Sequence, residues 1–174
     1  VSILFYRRSR TGDEAPAPPA TTVRVWRPSV DGLPSRGSRR LDNLVWWAFS
    51  RLGVFSRPDF AEVTLWQGGR RVHRLVVTPR WYRFPFMDAD DLQIGGLWTD
   101  PRSRREGLAR AAIAEAHRLA AGHGGQLWYA VEASNGASIA LAESCGYRLA
   151  GAGRRTRPFG IGLVGRFRFE ARAT

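Results

Sequence analysis

The chain has 174 residues and a formal charge of +12, from 27 basic and 15 acidic side chains; every basic one is arginine, and lysine is absent. The length suits a single domain spanning 1–174 with a core of its own, and 44% hydrophobic with 24% charged residues excludes a disordered or collagenous chain. A lone cysteine, Cys145, excludes an intrachain disulfide framework, and three unclustered histidines predict no metal site.

Along the chain, Val1–Arg8 has too short an apolar part for a secretory leader. No apolar run approaches the roughly 18–20 residues that span a bilayer, so a soluble, cytoplasmic protein is expected. Residues 8–20 are polar and proline-rich and read as a loop; Thr21–Trp26 reads as a strand and Ser29–Arg40 as a second polar loop. Leu41–Leu52 reads as a helix, with Leu44, Val45, Ala48 and Phe49 at helical spacing. Phe60–Gln67 and Arg70–Thr78 alternate about Gly68-Gly69, the signature of a hairpin. Leu92–Thr99 is the next strand, followed by a long helix over Ser103–Ala121 with Leu108, Ala112, Ala116 and Leu119 along one stripe. Gln126–Glu132 reads as a strand, Asn135–Ser144 as a short helix ended by Gly146, and Tyr147 onward as glycine-punctuated strand. Hairpins followed by strand–helix–strand–helix–strand predict an α/β fold, a mixed sheet with helices on its faces.

Charge is uneven: residues 1–87 carry +9 and residues 88–174 carry +3. Such a surface suits anionic partners, nucleic acid or phosphorylated metabolites among them, and equally suits a merely solvated face. The segment from Leu97 to Ala109 is more specific. A strand runs into a short loop that opens a helix at Arg104-x-x-Gly107-x-Ala109. The first turn of a helix presents unpaired N–H groups and the positive end of the macrodipole, and small residues let a pyrophosphate approach. No Gly-Lys-Ser/Thr follows, so the loop is not a P-loop, and it lacks the three glycines of a dinucleotide-binding turn.

A second segment lies about 30 residues downstream: Asn135-Gly-Ala-Ser138, then Cys145-Gly146-Tyr147. Together the two segments resemble the GNAT superfamily of acyl-CoA N-acyltransferases. The family's Leu-x-Val-x-Pro-x-x-Arg-Gly-x-Gly-x-Gly/Ala motif falls without a gap on Leu97, Thr99, Pro101, Arg104, Arg105, Gly107 and Ala109. Its later Asn-x-x-Ala/Ser-x-x-x-Tyr-x-x-x-Gly-Phe/Tyr pattern falls on Asn135, Ser138, Ala142, Gly146 and Tyr147. The resemblance covers about residues 89–150, the expected acyl-CoA-binding core. It implies a mostly antiparallel sheet with a splayed strand pair and helices on both faces, and acetyl-CoA as co-substrate with no metal. It also implies that Leu97 and Thr99 offer backbone groups to the pantetheine arm. Arg104, Arg105, Glu106, Gly107, Leu108 and Ala109 would hold the pyrophosphate, with Arg110 nearby, while Asn135 and Ser138 would reach the pantetheine or the acceptor. Two departures stand out. Arg105 replaces the loop's first glycine, and Ala142 stands where many members carry the tyrosine that protonates the departing thiolate. A thiol's pKa near 8.5 makes its thiolate a tolerable leaving group without that acid.

An amine acceptor must lose a proton, so a base is sought. Asp91 and His73 are the catalytic candidates, His73 because it alternates with Leu75 and Val77 on a hairpin strand. Glu132 is a further candidate, and Asp88 and Asp90 read as a solvated turn. Tyr129 and Tyr147 are stand-ins for the missing tyrosine, though core packing suits both better, as it does Cys145. His117 and His123 are expected at the surface. Trp81-Tyr-Arg-Phe-Pro-Phe-Met87 reads as either a packed connection or the wall of an acceptor pocket. The stretch Phe84-Pro-Phe-Met-x-x-x-Asp91-Leu-Gln-Ile-Gly95 also resembles acyltransferases associated with bacterial surface-polysaccharide synthesis. The expected function is acetyl transfer to the primary amine of a small, anionic acceptor such as an amino-sugar nucleotide, by a chain compatible with a homodimer. Two other readings remain: a catalytically weakened module that binds nucleic acid or a protein partner, and an acetyltransferase of protein N-termini or lysines.

Overall fold

A computed structural model describes residues 2–8, 17–33, 40–122, 124–156 and 165–172, with the side chains of 40–42 left out. Its strands are β1 (Ser2–Arg8), β2 (Thr22–Trp26), β3 (Ala61–Gln67), β4 (Arg70–Pro79), β5 (Leu92–Thr99), β6 (Leu127–Glu132), β7 (Arg148–Arg155) and β8 (Phe167–Ala171). The helices are α1 (Pro28–Asp31), α2 (Arg40–Arg51), α3 (Leu108–Ala120) and α4 (Gly136–Ser144). The strands form one sheet in the order β2-β3-β4-β5-β6-β1-β7-β8. Every neighbouring pair is antiparallel except β5 and β6, which run parallel.

Apolar cores lie on both faces of this sheet, which explains why β3 is buried at Glu62 and Thr64 as well as at Ala61, Val63 and Leu65. One face packs Val63, Leu75, Val77, Ile94 and Tyr129 under α3, whose alanine-rich inner side lets the helix sit close, with Ala142 and Ile139 of α4 beside them. The other face is aromatic. Phe5, Phe55, Phe60, Trp81, Phe84 and Trp128 are buried there, with Trp46 and Phe49 of α2 packed against them. The α/β fold, the mixed sheet and the helices on both faces are therefore as the sequence predicts.

Several boundaries differ from expectation. The opening segment is a central strand, not merely an apolar stretch too short for a leader: β1 lies between β6 and β7. Of the loop predicted over residues 8–20, Arg8 belongs to β1, and residues 9–16 lie outside the described residues. Within the loop predicted at Ser29–Arg40, residues 29–31 belong to α1 and Arg40 opens α2, while 34–39 lie outside the described residues. The spaced stripe of α2 is only partly inward, with Phe49 packed against the aromatic core. Leu44 and Val45 are 40% and 49% exposed, whereas Asn43 is buried. The long helix starts at Leu108 instead of Ser103. A 3-10 turn spans Pro101–Ser103, and Arg105 (φ 67°) and Gly107 (φ 78°) are both left-handed, so a right-handed helix begins only beyond them.

Candidate active site

The pairing of β5 with β6 sets the site's geometry. It covers only Leu92–Leu127, Gln93–Trp128 and Ile94–Tyr129, although β5 continues to Thr99 and β6 to Glu132. Beyond Ile94 the two strands part, and β5 keeps its partner only on the β4 side. Its course there is bent as well. Arg74 pairs with Trp98 and Val76 with Gly95, so β5 carries an extra residue between them. Gly96 absorbs it at φ 60°, the left-handed conformation that favours glycine in a bulge.

β5 leads directly to the start of α3. Asp100 closes the 3-10 turn, its carboxylate accepting from the Arg102 N–H at 2.9 Å. Arg102, Arg104, Arg105, Glu106 and Gly107 are exposed, and Leu108 is buried as the anchor of the helix. Gly107 is the N-cap and no side chain caps the helix, while a Cβ on Gly107 would meet nothing within 4 Å. The first N–H groups of α3 thus face open space flanked by arginines, an arrangement that fits a pyrophosphate. Arg105 stands at the position where the motif carries glycine, and adopts a backbone conformation that costs an L-residue about 1–2 kcal/mol.

On the other side of the splay, the side chain of Asn135 is engaged in its own helix: Asn135 Oδ1 accepts from the Ser138 N–H at 3.1 Å. The Ser138 hydroxyl is 2.7 Å from that of Tyr129. Ala142 is fully buried, and burial raises the pKa of both Tyr129 and Tyr147.

A cavity of about 350 Å³ opens on the sheet face away from α3. Its floor is Val76, Thr78, Gln93 and the Gly95–Gly96 bulge, and its walls are Val45 and Trp46 of α2 with Trp81, Phe84, Arg74 and Arg83. Trp81–Met87 is thus both a packed connection and a pocket wall. The Arg83 guanidinium lies over the Trp81 ring, 4.5 Å from its centroid, and among the described residues no carboxylate lines the cavity.

Neither catalytic candidate lines it. His73 is fully buried on the Leu65 side of β4, paired with Thr99. Its Nδ1 is 2.8 Å from the Thr99 hydroxyl, and burial lowers its pKa to about 4, so it is neutral. Asp91 is 2% exposed at the start of β5, and its carboxylate accepts from the N–H groups of Gln126 (2.7 Å) and Asp88 (2.9 Å) and from Trp128 Nε1 (2.7 Å). That clamp ties the turn before β5 to the start of β6 and sets the one parallel pairing.

Of the remaining candidates, Glu132 is exposed at the end of β6. Asp88 and Asp90 are exposed, with Asp90 on Arg57 at 2.5 Å. Cys145 is buried, its carbonyl accepting from Arg8. His117 is not at the surface as expected; it is buried, with Nε2 3.0 Å from the Tyr147 hydroxyl, and His123 lies outside the described residues. Sequence reading missed Arg74 and Gln93, while Arg83 lies in the segment read as a possible pocket wall. The alternation that put His73 on the Leu75 face puts Arg74 on the opposite one, which was the available signal. Among the described residues no three His, Cys, Asp or Glu side chains gather as a metal set, and no helix is long and apolar enough to cross a membrane.

Known structures share this fold. The chain is similar to a GNAT-family protein from Novosphingobium aromaticivorans (19% identity, TM-score 0.55, covering 87% of this chain and 60% of that one). It is also similar to a GCN5-related N-acetyltransferase from Sphaerobacter thermophilus (18%, TM-score 0.59, 87% and 49%). An aminoglycoside N-acetyltransferase in complex with CoA matches at 14% identity and TM-score 0.52, over 73% of this chain and 91% of that one. The chain therefore spans about half to three fifths of the length of the first two. No curated protein matches it in sequence. The model of the acetyltransferase (GNAT) family matches residues 57–147, more than half of the chain and both motif segments, and the chain belongs to that family.

Proposed function

We propose that this chain is an acyl-CoA-dependent N-acyltransferase that moves an acetyl group from acetyl-CoA to the primary amine of a small, anionic acceptor such as an amino-sugar nucleotide. The observation that carries the reading is the end of β5–β6 pairing at Ile94–Tyr129 beside the open N-terminus of α3. Acetyl-CoA, when bound, supplies an activated thioester. The N–H groups of Leu108 and Ala109 and the side chains of Arg104 and Arg105 hold the pyrophosphate. Backbone groups of Leu97 and Thr99 on the free edge of β5 take the pantetheine arm as a partner strand would. His73 works through Thr99 and Asp91 through the turn into β5; both position the strand, and neither is read as the base.

The cavity over Gly95–Gly96 is the acceptor site in this reading. Its aromatic walls exclude water from the amine as it attacks, and Arg74 and Arg83 favour an acceptor that carries negative charge. Arginines on the wall, with no carboxylate among the described lining residues, speak against a basic peptide as acceptor.

Calorimetry with coenzyme A and mass spectrometry of an amine panel incubated with acetyl-CoA test the reading. Coenzyme A binding and a product heavier by one acetyl group are expected. Failure to bind coenzyme A overturns it. Nucleic-acid binding with steep salt dependence, together with no effect of coenzyme A on melting, would instead support a non-catalytic binding module.

A further inference from the structure

Arg74 and Glu62 are two charged groups held largely out of water, and their geometry is incomplete in an informative way. Glu62 is 4% exposed and Asn43 of α2 is 2% exposed. Asn43 Nδ2 donates to Glu62 Oε2 at 2.9 Å. The other carboxylate oxygen, Oε1, is buried without a hydrogen bond and lies 3.8 Å from Arg74 Nη1, close enough for an ion pair but not for a hydrogen bond. The Arg74 side chain is 16% exposed and lines the cavity. Its five N–H donors make no hydrogen bond within the described residues. Buried ion pairs offset their desolvation only when their hydrogen bonds are completed, and the guanidinium donors that Glu62 does not take are left for an acceptor atom in the cavity that Arg74 lines.

We propose that Arg74 is the residue that reads the acceptor's anionic group, and that Glu62, held by Asn43, is the positioning residue that keeps the guanidinium aimed into the cavity. The inference rests on the acetyl-transfer reading above and deepens it. Two-point hydrogen bonding by the guanidinium fork suits a phosphate or carboxylate. Arg83, fixed on Trp81, adds a second positive charge on the same wall system, and the Trp46 and Trp81 rings offer apolar surface to the acceptor's body.

Register relates Arg74 to the bulge. Val76 pairs with Gly95 at the bulge, and Arg74 is two residues away on the same strand and the same face. Glu62 pairs with Val76 on the other side, so the Arg74 guanidinium, 3.8 Å from Glu62, lies back toward the level of the Gly95–Gly96 floor. An amine presented at the bulge and an anion on the same small molecule can thus both be met within one cavity. Amino-sugar phosphates and amines with an anion on a short chain have that form.

Two matched pairs test this: glucosamine with glucosamine 6-phosphate, and propylamine with 3-aminopropyl phosphate, each assayed with acetyl-CoA by thiol release. The phosphorylated member is expected to show a kcat/KM at least tenfold higher in one pair or both, carried by KM. In Arg74→Gln that preference falls to within about twofold. Because Arg74→Gln strands the Glu62 charge and can unfold the chain, the Arg74→Gln/Glu62→Gln double variant is the decisive one, and it loses the preference too. Glu62→Gln alone raises KM for the phosphorylated amine while kcat holds, a split that a purely structural role would not give. Coenzyme A affinity, measured by calorimetry on each variant, reports an intact cofactor half. No charge preference in the parent chain, or a preference that survives in the double variant, overturns the proposal, as does coenzyme A binding with neither phosphorylated amine acetylated. Failure of the parent chain to bind coenzyme A overturns the acetyl-transfer reading beneath it.

Discussion

Asp91 looks like a catalytic carboxylate in the sequence and like a clamp in the fold. Three donors converge on it: the N–H groups of Gln126 and Asp88 and the indole of Trp128. Asp91→Asn turns one acceptor oxygen into an amide that faces donors. The expected loss is about 2–4 kcal/mol, since hydrogen bonds to a charged group contribute more than neutral ones. For a chain of this size that lowers Tm by roughly 5–15 °C. Acetyl transfer measured well below the new Tm stays within about fivefold; a base would instead lose about 10²–10⁴ with Tm unchanged. His73 allows a pH test. Its pKa is lowered to about 4 in the folded chain by burial, against about 6.5 unfolded. Between those values the unfolded chain binds the extra proton, so stability contributed by the neutral imidazole is complete above pH 6.5 and lost as pH falls. Denaturant unfolding at pH 7 and pH 5 should differ by about 2 kcal/mol from this group. His73→Gln should remove that part of the difference, and an unchanged pH dependence in the variant would refute the assignment.

At the scale of the element, β5 is where the fold becomes a site. One end is locked to β6 by three residue pairs, the middle carries a bulge, and the far end feeds the loop that opens α3. Gly96 is the pivot. Its φ of 60° is strained for any L-residue, and a Cβ there would lie 3.3 Å from Val76 Cγ2, on the cavity floor. Gly96→Ala should cost about 1–2 kcal/mol of stability, visible as a Tm drop of roughly 2–8 °C. The larger effect should be kinetic. Shifting the floor of the acceptor cavity by a fraction of an ångström misaligns the reacting groups, so kcat/KM should fall about tenfold or more, while calorimetry shows coenzyme A affinity within about threefold. A variant with full activity and lowered Tm would make the bulge a structural feature alone.

For the molecule as a whole, what was legible in the sequence was what local chemistry dictates. The β3–β4 hairpin, the short helix beginning near Asn135, and the order of strand, loop and helix around Leu97–Ala109 all follow from short-range patterns. Long-range choices were not legible. Arg105 was read into a helix because nothing in Ser103–Gly107 announces two left-handed residues. Leu44 and Val45 share a stripe with Phe49 yet stay exposed, because helical spacing fixes a period but not which face meets the sheet. Arg74 and Glu62 meet only because β3 and β4 pair in one particular register. β1 is the clearest case. Its alternation places Leu4 and Tyr6 against one core and Ile3 and Phe5 against the other, but nothing local says that it enters the sheet between β6 and β7. Phe5 shows what that entry contributes. It is 1% exposed, and its ring meets those of Phe84, Phe86, Phe167 and Phe169 at centroid distances of 4.9–6.4 Å. One residue from the start of the chain thus joins the pocket-wall segment to the last strand. Phe5→Ala removes a fully buried ring and should cost about 3–5 kcal/mol, lowering Tm by roughly 10 °C or more. Because Phe84 is both a partner of Phe5 and a wall of the cavity, the variant should also raise KM for the acceptor while leaving coenzyme A affinity, set at α3 on the opposite face, within about threefold. A variant that loses coenzyme A binding and acceptor binding together, while still melting cooperatively, would show that the two faces of the sheet do not act separately.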